Sequence, residues 1–261
     1  MHHAPEFSGA LFQVASQFNL LEMVSPRVSP EQGVTRYEQD RTQGPACAIA
    51  AGAVTIYRNY FVPMKDGEGQ TAERQIDCLA DLGVALAQAL GRPGQVPWAM
   101  RNGYALCTEE QLADINAYLY GLDPPALDAL RGLLRIGLHW DVEVTDAPVP
   151  SRPIVSQAFC SALPAAYCNA MSYMWRMFGT LILEAAYEAT LLAAVLNARR
   201  GASNTVLLTR LGGGAFGNED EWIDNAMRRA LNKVQTVDLD VRLVSFGAPE
   251  VPMLETVAMF C

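Results

Sequence analysis

The residues best suited to chemistry form a glycine-rich loop. Gly212, Gly213, Gly214, Ala215, Phe216, Gly217 and Asn218 follow the apolar run Thr205 to Leu211 and precede a helical pattern that opens with Glu219-Asp-Glu-Trp. Glycine accepts positive φ and lets backbone N–H groups crowd around a ligand. Convergent amides make a concave anion site, so Gly212 to Asn218 is predicted to hold a phosphate or diphosphate. The loop contains Gly-x-Gly-x-x-Gly between a strand and a helix, the form of the dinucleotide fingerprint. Its context differs from a Rossmann unit: the next apolar run ends in Val244-Ser245-Phe246-Gly247, without the acidic residue that grips a ribose. A tight strand-to-helix turn is the simplest reading, yet three consecutive glycines exceed its needs. Each costs up to about 1 kcal/mol of backbone entropy relative to alanine. Glu219, Asp220 and Glu221 already complement the helix dipole, with Asn218 and Glu221 spaced as a capping box, so an anion would rest on loop amides.

Nucleophiles are the next candidates. The six cysteines, Cys47, Cys78, Cys107, Cys160, Cys168 and Cys261, form no CxxC pair. With only three histidines, two of them at positions 2 and 3, no Cys/His metal site is expected. Cys160-Ser161 ends a predicted strand, and His139 is the only histidine in the chain's interior. A Cys–His pair is weighed there against a buried thiol and a strand histidine, and the latter is the simpler reading. Ser161 lacks a nucleophile elbow. Scattered free thiols fit a reducing, cytoplasmic setting.

The chain has 261 residues, 51% of them hydrophobic and 18% charged, which supports a sizeable core. A formal net charge of −9 disfavours general binding to nucleic acid backbones. The apolar run Met177 to Leu196 contains Glu184 and Glu188, so a buried core helix is preferred to a membrane span. Leu11 to Ala15 reads as a buried strand that runs into Ser16, Gln17 and Asn19, and polar strand tips are where open α/β sheets bind ligands. Val24 to Gly44 reads as a long loop, and Pro45 as the start of a helix through Phe61. Helices are predicted over Ala72 to Leu90, Thr108 to Leu122, Ala126 to Leu134 and Asn169 to Asn197, and strands over Trp98 to Leu106, His139 to Val144 and Pro153 to Phe159. This alternation predicts a three-layer α/β/α domain with a mixed, mostly parallel sheet. It would be one domain over 1–261, carrying a helical insertion at about 65–150.

Two segments resemble the macrodomain family, the ADP-ribose-binding fold. Gly-Gly-Ala-Phe-Gly-Asn stands where that family has its second diphosphate loop. Val14-Ala15-Ser16-Gln17-Phe18-Asn19 and Gly44-Pro45-Ala46-Cys47-Ala48-Ile49-Ala50-Ala51-Gly52 resemble its opening strand, first loop and Ala-rich helix. The first loop here, Asp40-Arg41-Thr42-Gln43-Gly44-Pro45, lacks the family's glycine run, and the Gln-Glu-Glu of poly(ADP-ribose) glycohydrolases is absent, which marks a divergent member. The resemblance implies that Asn19 contacts a ribose, that Gly44, Pro45, Ala46 and Cys47 line one diphosphate loop and Gly212 to Gly217 the other, and that Phe216 stacks near the distal ribose. Glu22, Glu38 and Asp40 would flank the ribose, where a carboxylate activates water or accepts a hydroxyl hydrogen bond. Each has a plain alternative as a solvated loop charge, and Gln43 either orients a water or packs its loop. The implied function is binding of ADP-ribose or a related nucleotide-diphosphate ribose, with hydrolysis of an ADP-ribosyl bond and no cofactor. A binding module without turnover and a nicotinamide-dependent oxidoreductase are the alternatives.

Overall fold

The computed structural model describes residues 1–150 and 152–260, so Cys261 lies outside the described residues. From β1 (Leu11–Ala15) the chain passes two 3-10 turns, Pro30–Gln32 and Val34–Gln39, into α1 (Gln43–Ala50), α2 (Gly52–Ile56) and a π-helical turn, Tyr57–Phe61. The middle segment holds a hairpin of β2 (Pro63–Met64) and β3 (Gly67–Glu68), then α3 (Ala80–Ala89). A hairpin of β4 (Ala99–Arg101) and β5 (Tyr104–Leu106), α4 (Glu109–Tyr120) and α5 (Pro124–Arg131) follow. Next come β6 (Gly137–Glu143), β7 (Ile154–Cys160), α6 (Ser172–Arg199), β8 (Thr205–Thr209), α7 (Asp220–Val234), β9 (Asp240–Val244) and α8 (Val251–Phe260).

Five strands form one sheet in the order β6-β7-β1-β8-β9. β7, β1, β8 and β9 run parallel, and β6 pairs antiparallel with β7. Helices flank the sheet, giving the three-layer α/β/α fold with a mixed, mostly parallel sheet. The central strands are apolar because both faces are covered. The main core gathers Leu11, Phe159, Trp175, Phe178, Tyr187 and Ile223, and a smaller one gathers Phe7, Phe12, Ala51, Val144 and Leu207. By length and composition the 28-residue α6 could cross a membrane; here it packs against α4, α7 and the sheet. Its two mid-helix carboxylates are matched, Glu184 by Arg131 at 2.7 Å and Glu188 by Arg229 at 2.6 Å.

The sheet places a crevice by its topology. After β1 the chain proceeds to β6 and β7 on one side; after β8 it proceeds through α7 to β9 on the other. Ligands of open α/β sheets bind outside the strand ends where the order reverses in this way. The two strands also part there: β1 matches β7 along its full length but pairs with β8 only at Leu11 and Phe12. Two glutamine amides serve the backbone groups left behind. Gln43 donates to the Gln13 carbonyl at 2.7 Å and accepts from the Ala15 N–H at 2.8 Å. Gln13 in turn accepts from the Thr209 N–H at 3.1 Å.

Several local expectations change. The helix predicted from Pro45 to Phe61 starts at Gln43, breaks at Ala51 and ends in the π turn. That predicted over Ala72 to Leu90 is limited to α3; Arg74 instead donates to the carbonyls of Asp66, Glu68 and Gly69 and holds its segment irregular. Trp98 to Leu106 is two strands turned at Asn102-Gly103, both with positive φ, the favoured chemistry of a two-residue hairpin. β6, from the middle segment, forms an edge of the main sheet. α8 had no counterpart in the sequence reading.

Candidate functional site

A cavity of about 840 Å³ opens at the carboxyl ends of β1 and β8. Its floor is Ala15, Ser16 and Gln17, and Glu22 and Met23 contribute beside them. The chain reverses between Gln17 and Leu21, where Gln17 N–H donates to the Leu21 carbonyl at 2.8 Å. Leu20 takes φ +66° in this turn, a conformation costly for a side chain with a Cβ and held only by its surroundings. The reversal brings Glu22 back to the floor, 2% exposed. Arg58 Nη2 approaches both its carboxylate oxygens, at 3.0 and 3.1 Å. Burial pushes the Glu22 carboxyl up to about 7, against the opposing pull of Arg58 and Tyr37.

One wall is Asp40 to Ala46. Asp40 accepts from the N–H and hydroxyl of Thr42 at 2.8 and 2.7 Å, shaping the approach to α1. A Cβ built on Gly44 would lie 1.9 Å from the Ala15 carbonyl oxygen, so only glycine lets the first turn of α1 cross the tip of β1 this closely. The N–H groups of Gln43 and Gly44 lie in that first helical turn, where an α-helix has no internal acceptor for them.

The facing wall is Thr209 to Phe216. Tyr187, from α6, donates to the Thr209 carbonyl at 2.7 Å and accepts from Leu211 N–H at 2.9 Å, which anchors the start of the glycine loop. Gly212 has φ +79°, and a Cβ there would meet the Ala162 Cβ at 2.4 Å. The loop closes on itself through Gly217 N–H to Gly214 O and Asn218 N–H to Gly212 O, both at 3.0 Å. The amides of Gly212, Gly214, Ala215 and Phe216 donate to no other described residue. The α7 cap is Glu219, not the expected Asn218, whose side-chain amide instead donates to the Leu163 carbonyl at 2.8 Å. Arg210 is clamped by Asp220 and Asp224, each at 2.6 Å. With Glu22, Asp40, Asp220 and Glu250 on the walls against Arg41 and Arg210, an anion would be held by amide dipoles and not by net charge.

An aromatic side completes the cavity. Tyr104 from β5, Tyr167 from the turn after β7 and Phe216 meet at ring-centroid distances of 5.1 to 5.8 Å. Tyr104 is 1% exposed, so Tyr167 and Phe216 offer the flat apolar area to a planar ring or a sugar face. Phe246, fully exposed, stands on the rim with Glu250 and Met253.

The cavity thus brings together Glu22, Asp40, Gln43, Gly44, Pro45, Ala46, Gly212, Gly213, Gly214, Ala215 and Phe216. Five of the predicted site residues lie off it. Asn19 is wholly buried; it donates to Gln75 at 2.8 Å and accepts from Leu21 N–H at 3.1 Å, so it ties the floor turn to the middle segment. Glu38 is exposed on its 3-10 turn. Cys47 is buried against Gln43 with its thiol pushed up to about 12 by desolvation. Gly217 and Asn218 lie behind the loop, beside Ala166 and Leu163. Gln43 lines the cavity, and its amide is engaged with β1, donating to the Gln13 carbonyl and accepting from the Ala15 N–H. Cys160 is buried, its thiol pushed up to about 11, an environment that suppresses a nucleophile. The sequence reading passed over Arg58, Tyr104, Tyr167 and Arg210. For Arg58 a signal existed, a lone cation inside the apolar stretch Ala46 to Phe61; the aromatic residues come from separate segments and carried none. Among the described residues no group of three or more His, Cys, Asp or Glu could hold a metal. The chain matches no family model, and no curated protein matches it significantly.

Proposed function

We propose that this protein is a divergent macrodomain-like protein that binds ADP-ribose, or a related nucleotide-diphosphate ribose, and hydrolyses an ADP-ribosyl bond. The observation that carries the reading is the pairing of two loops from opposite parts of the chain, Asp40 to Ala46 and Thr209 to Phe216, across one cavity at the strand switch point. The diphosphate would lie between the loop amides and the first turn of α1. The Tyr167–Phe216 side suits a base or sugar face, and the floor near Glu22 suits the reacting ribose. In that pose a water oxygen bonds to the anomeric carbon as the bond to the leaving group breaks. Glu22 or Asp40 takes the water proton, and the leaving group departs with a proton returned from that carboxyl or drawn from solvent.

Calorimetry with ADP-ribose, set beside AMP and NAD, tests the binding. Tighter binding of ADP-ribose than of AMP supports it, and no heat for ADP-ribose at millimolar concentration overturns it. The second reading, a binder without turnover, is favoured by one feature: the two candidate catalytic carboxylates in the cavity already have protein partners, Glu22 in Arg58 and Asp40 in Thr42. Turnover by the wild type, set beside Glu22→Gln and Asp40→Asn, separates the two readings. Binding without turnover in the wild type withdraws the hydrolase assignment and leaves the binding module; turnover that neither variant lowers removes both carboxylates from the mechanism.

A further inference from the structure

Arg58 is among the largest fully buried side chains, and the cavity's chemistry does not by itself require it. Its Nη2 spans both oxygens of Glu22, its Nε donates to the Leu20 carbonyl at 2.5 Å, and its guanidinium lies 3.9 Å from the centre of the Phe159 ring. Nη1 has no partner among the described residues. The π turn Tyr57–Phe61 turns Arg58 and Asn59 inward while Tyr57, Tyr60 and Phe61 remain on the surface. Such turns are rare and recur at functional sites.

A buried ion pair is a poor source of stability, because its desolvation offsets its attraction and an apolar pair of similar size often does as well. Fold stability therefore does not account for a strained leucine carbonyl, a π turn and a phenylalanine face all directed at one guanidinium. These three features hold the carboxylate in one place. The other titratable groups around the pair are Tyr37 and Cys47 beside Glu22, and His139 from β6 beside Arg58; burial raises the first two and lowers the third to about 4, so all three are neutral near pH 7.

We propose that Arg58 is a positioning residue: it fixes the Glu22 carboxyl in a single orientation and favours its ionised form, so that it accepts a proton or hydrogen bond from ribose or water. The proposal rests on the reading of the cavity as a ribose-diphosphate site.

The experiment is the pH profile of ADP-ribose affinity and turnover for the wild type, Arg58→Lys, Arg58→Met, Glu22→Gln and the double variant Arg58→Met/Glu22→Gln. Side-chain carbon NMR of the glutamates runs alongside and reads Glu22 without any ligand. The expected result is a Glu22 titration displaced upward by more than about one pH unit in Arg58→Met, equal to about a tenfold loss of the ionised form on the acid side. Arg58→Lys restores the wild-type midpoint, and the double variant is no worse than Glu22→Gln alone. A Glu22 midpoint unchanged by Arg58→Met, with only thermal stability lowered, overturns the proposal. Should Arg58→Met fail to fold, Arg58→Gln takes its place, and the same upward shift of the Glu22 midpoint supports the proposal or its absence overturns it. An upward shift in the NMR titration with no ADP-ribose binding to the wild type retains Arg58's role and rejects the ligand assignment.

Discussion

At the scale of single residues, two glycines make opposite predictions although both belong to the cavity loops. Gly44→Ala places a methyl carbon within 1.9 Å of the Ala15 carbonyl oxygen, and backbone cannot yield as a side chain can. The expected cost is about 3 kcal/mol, the upper end for overpacking, read as a lower urea midpoint with unchanged slope. Gly214 has nothing within 4 Å of its added Cβ and no positive φ. Gly214→Ala is expected within about 0.5 kcal/mol of wild type. If both variants behave alike, the loops are not held as described. This contrast was not legible in the sequence, where all the glycines of the second loop looked equivalent. A glycine's need depends on what faces it, and Ala162 and Ala15 are brought into place only by the sheet.

At the scale of elements, the strands were readable and the irregular connections were not. Leu11–Ala15 and Thr205–Thr209 matched expectation because parallel strands covered on both faces are short unbroken apolar runs. α4 matched because Thr108 and Gln111 form a capping box, a signal local to the sequence. The segment Ala72 to Leu79 misled because its conformation is set by distant partners: Gln75 reaches Asn19 at 2.8 Å and Asn102 at 2.9 Å. Asn19 shows the same limit, since a polar residue after a strand reads alike whether it faces a ligand or a neighbouring hairpin. The element most exposed to test is α6, which holds the glycine loop through one hydroxyl. Tyr187→Phe removes both loop bonds while keeping the ring. Leu211 N–H still reaches the Thr209 carbonyl at 2.9 Å, so neither group is orphaned and the loss of the hydroxyl's two bonds should cost about 1–2 kcal/mol. ADP-ribose affinity should fall further than Tyr187's distance from the cavity lining would suggest. Calorimetry on the variant checks this, and unchanged affinity would show that the loop holds its shape unaided.

For the whole molecule, burial of three titratable groups sets opposing pH trends. Burial and the neighbouring positive charges, the chain's amino terminus for His2 and Arg58 for His139, hold both histidines at about 4, below their ordinary 6.5. Their contribution to stability is present above 6.5 and is lost as pH falls towards 4. Glu22, raised from 4.5 to about 7, acts the other way: its contribution is present below 4.5 and is lost as pH rises through 7. Near pH 5.5 the unfolded chain carries two extra histidine protons and the folded chain one extra glutamate proton, a net uptake of one on unfolding. Stability is expected to fall by about 1.4 kcal/mol per pH unit on acidification through that range. Glu22→Gln should roughly double the slope, and denaturant curves at pH 5, 6 and 7 measure both. A slope unaffected by Glu22→Gln would mean that the carboxyl titrates as it does in the unfolded chain.

The position of β1 has a consequence for how the molecule is made. Leu11 pairs with Ser156 on one edge and with Val206 on the other, so the middle strand emerges from the ribosome long before either neighbour exists. Until then Leu-Phe-Gln-Val-Ala is an apolar segment with unpaired backbone N–H and C=O groups on both edges, the kind that recruits other chains. Nascent chains halted near residue 200 should accordingly be protease-sensitive and prone to self-association, and those halted beyond residue 250 should not. Pairings this remote also make spontaneous refolding slow.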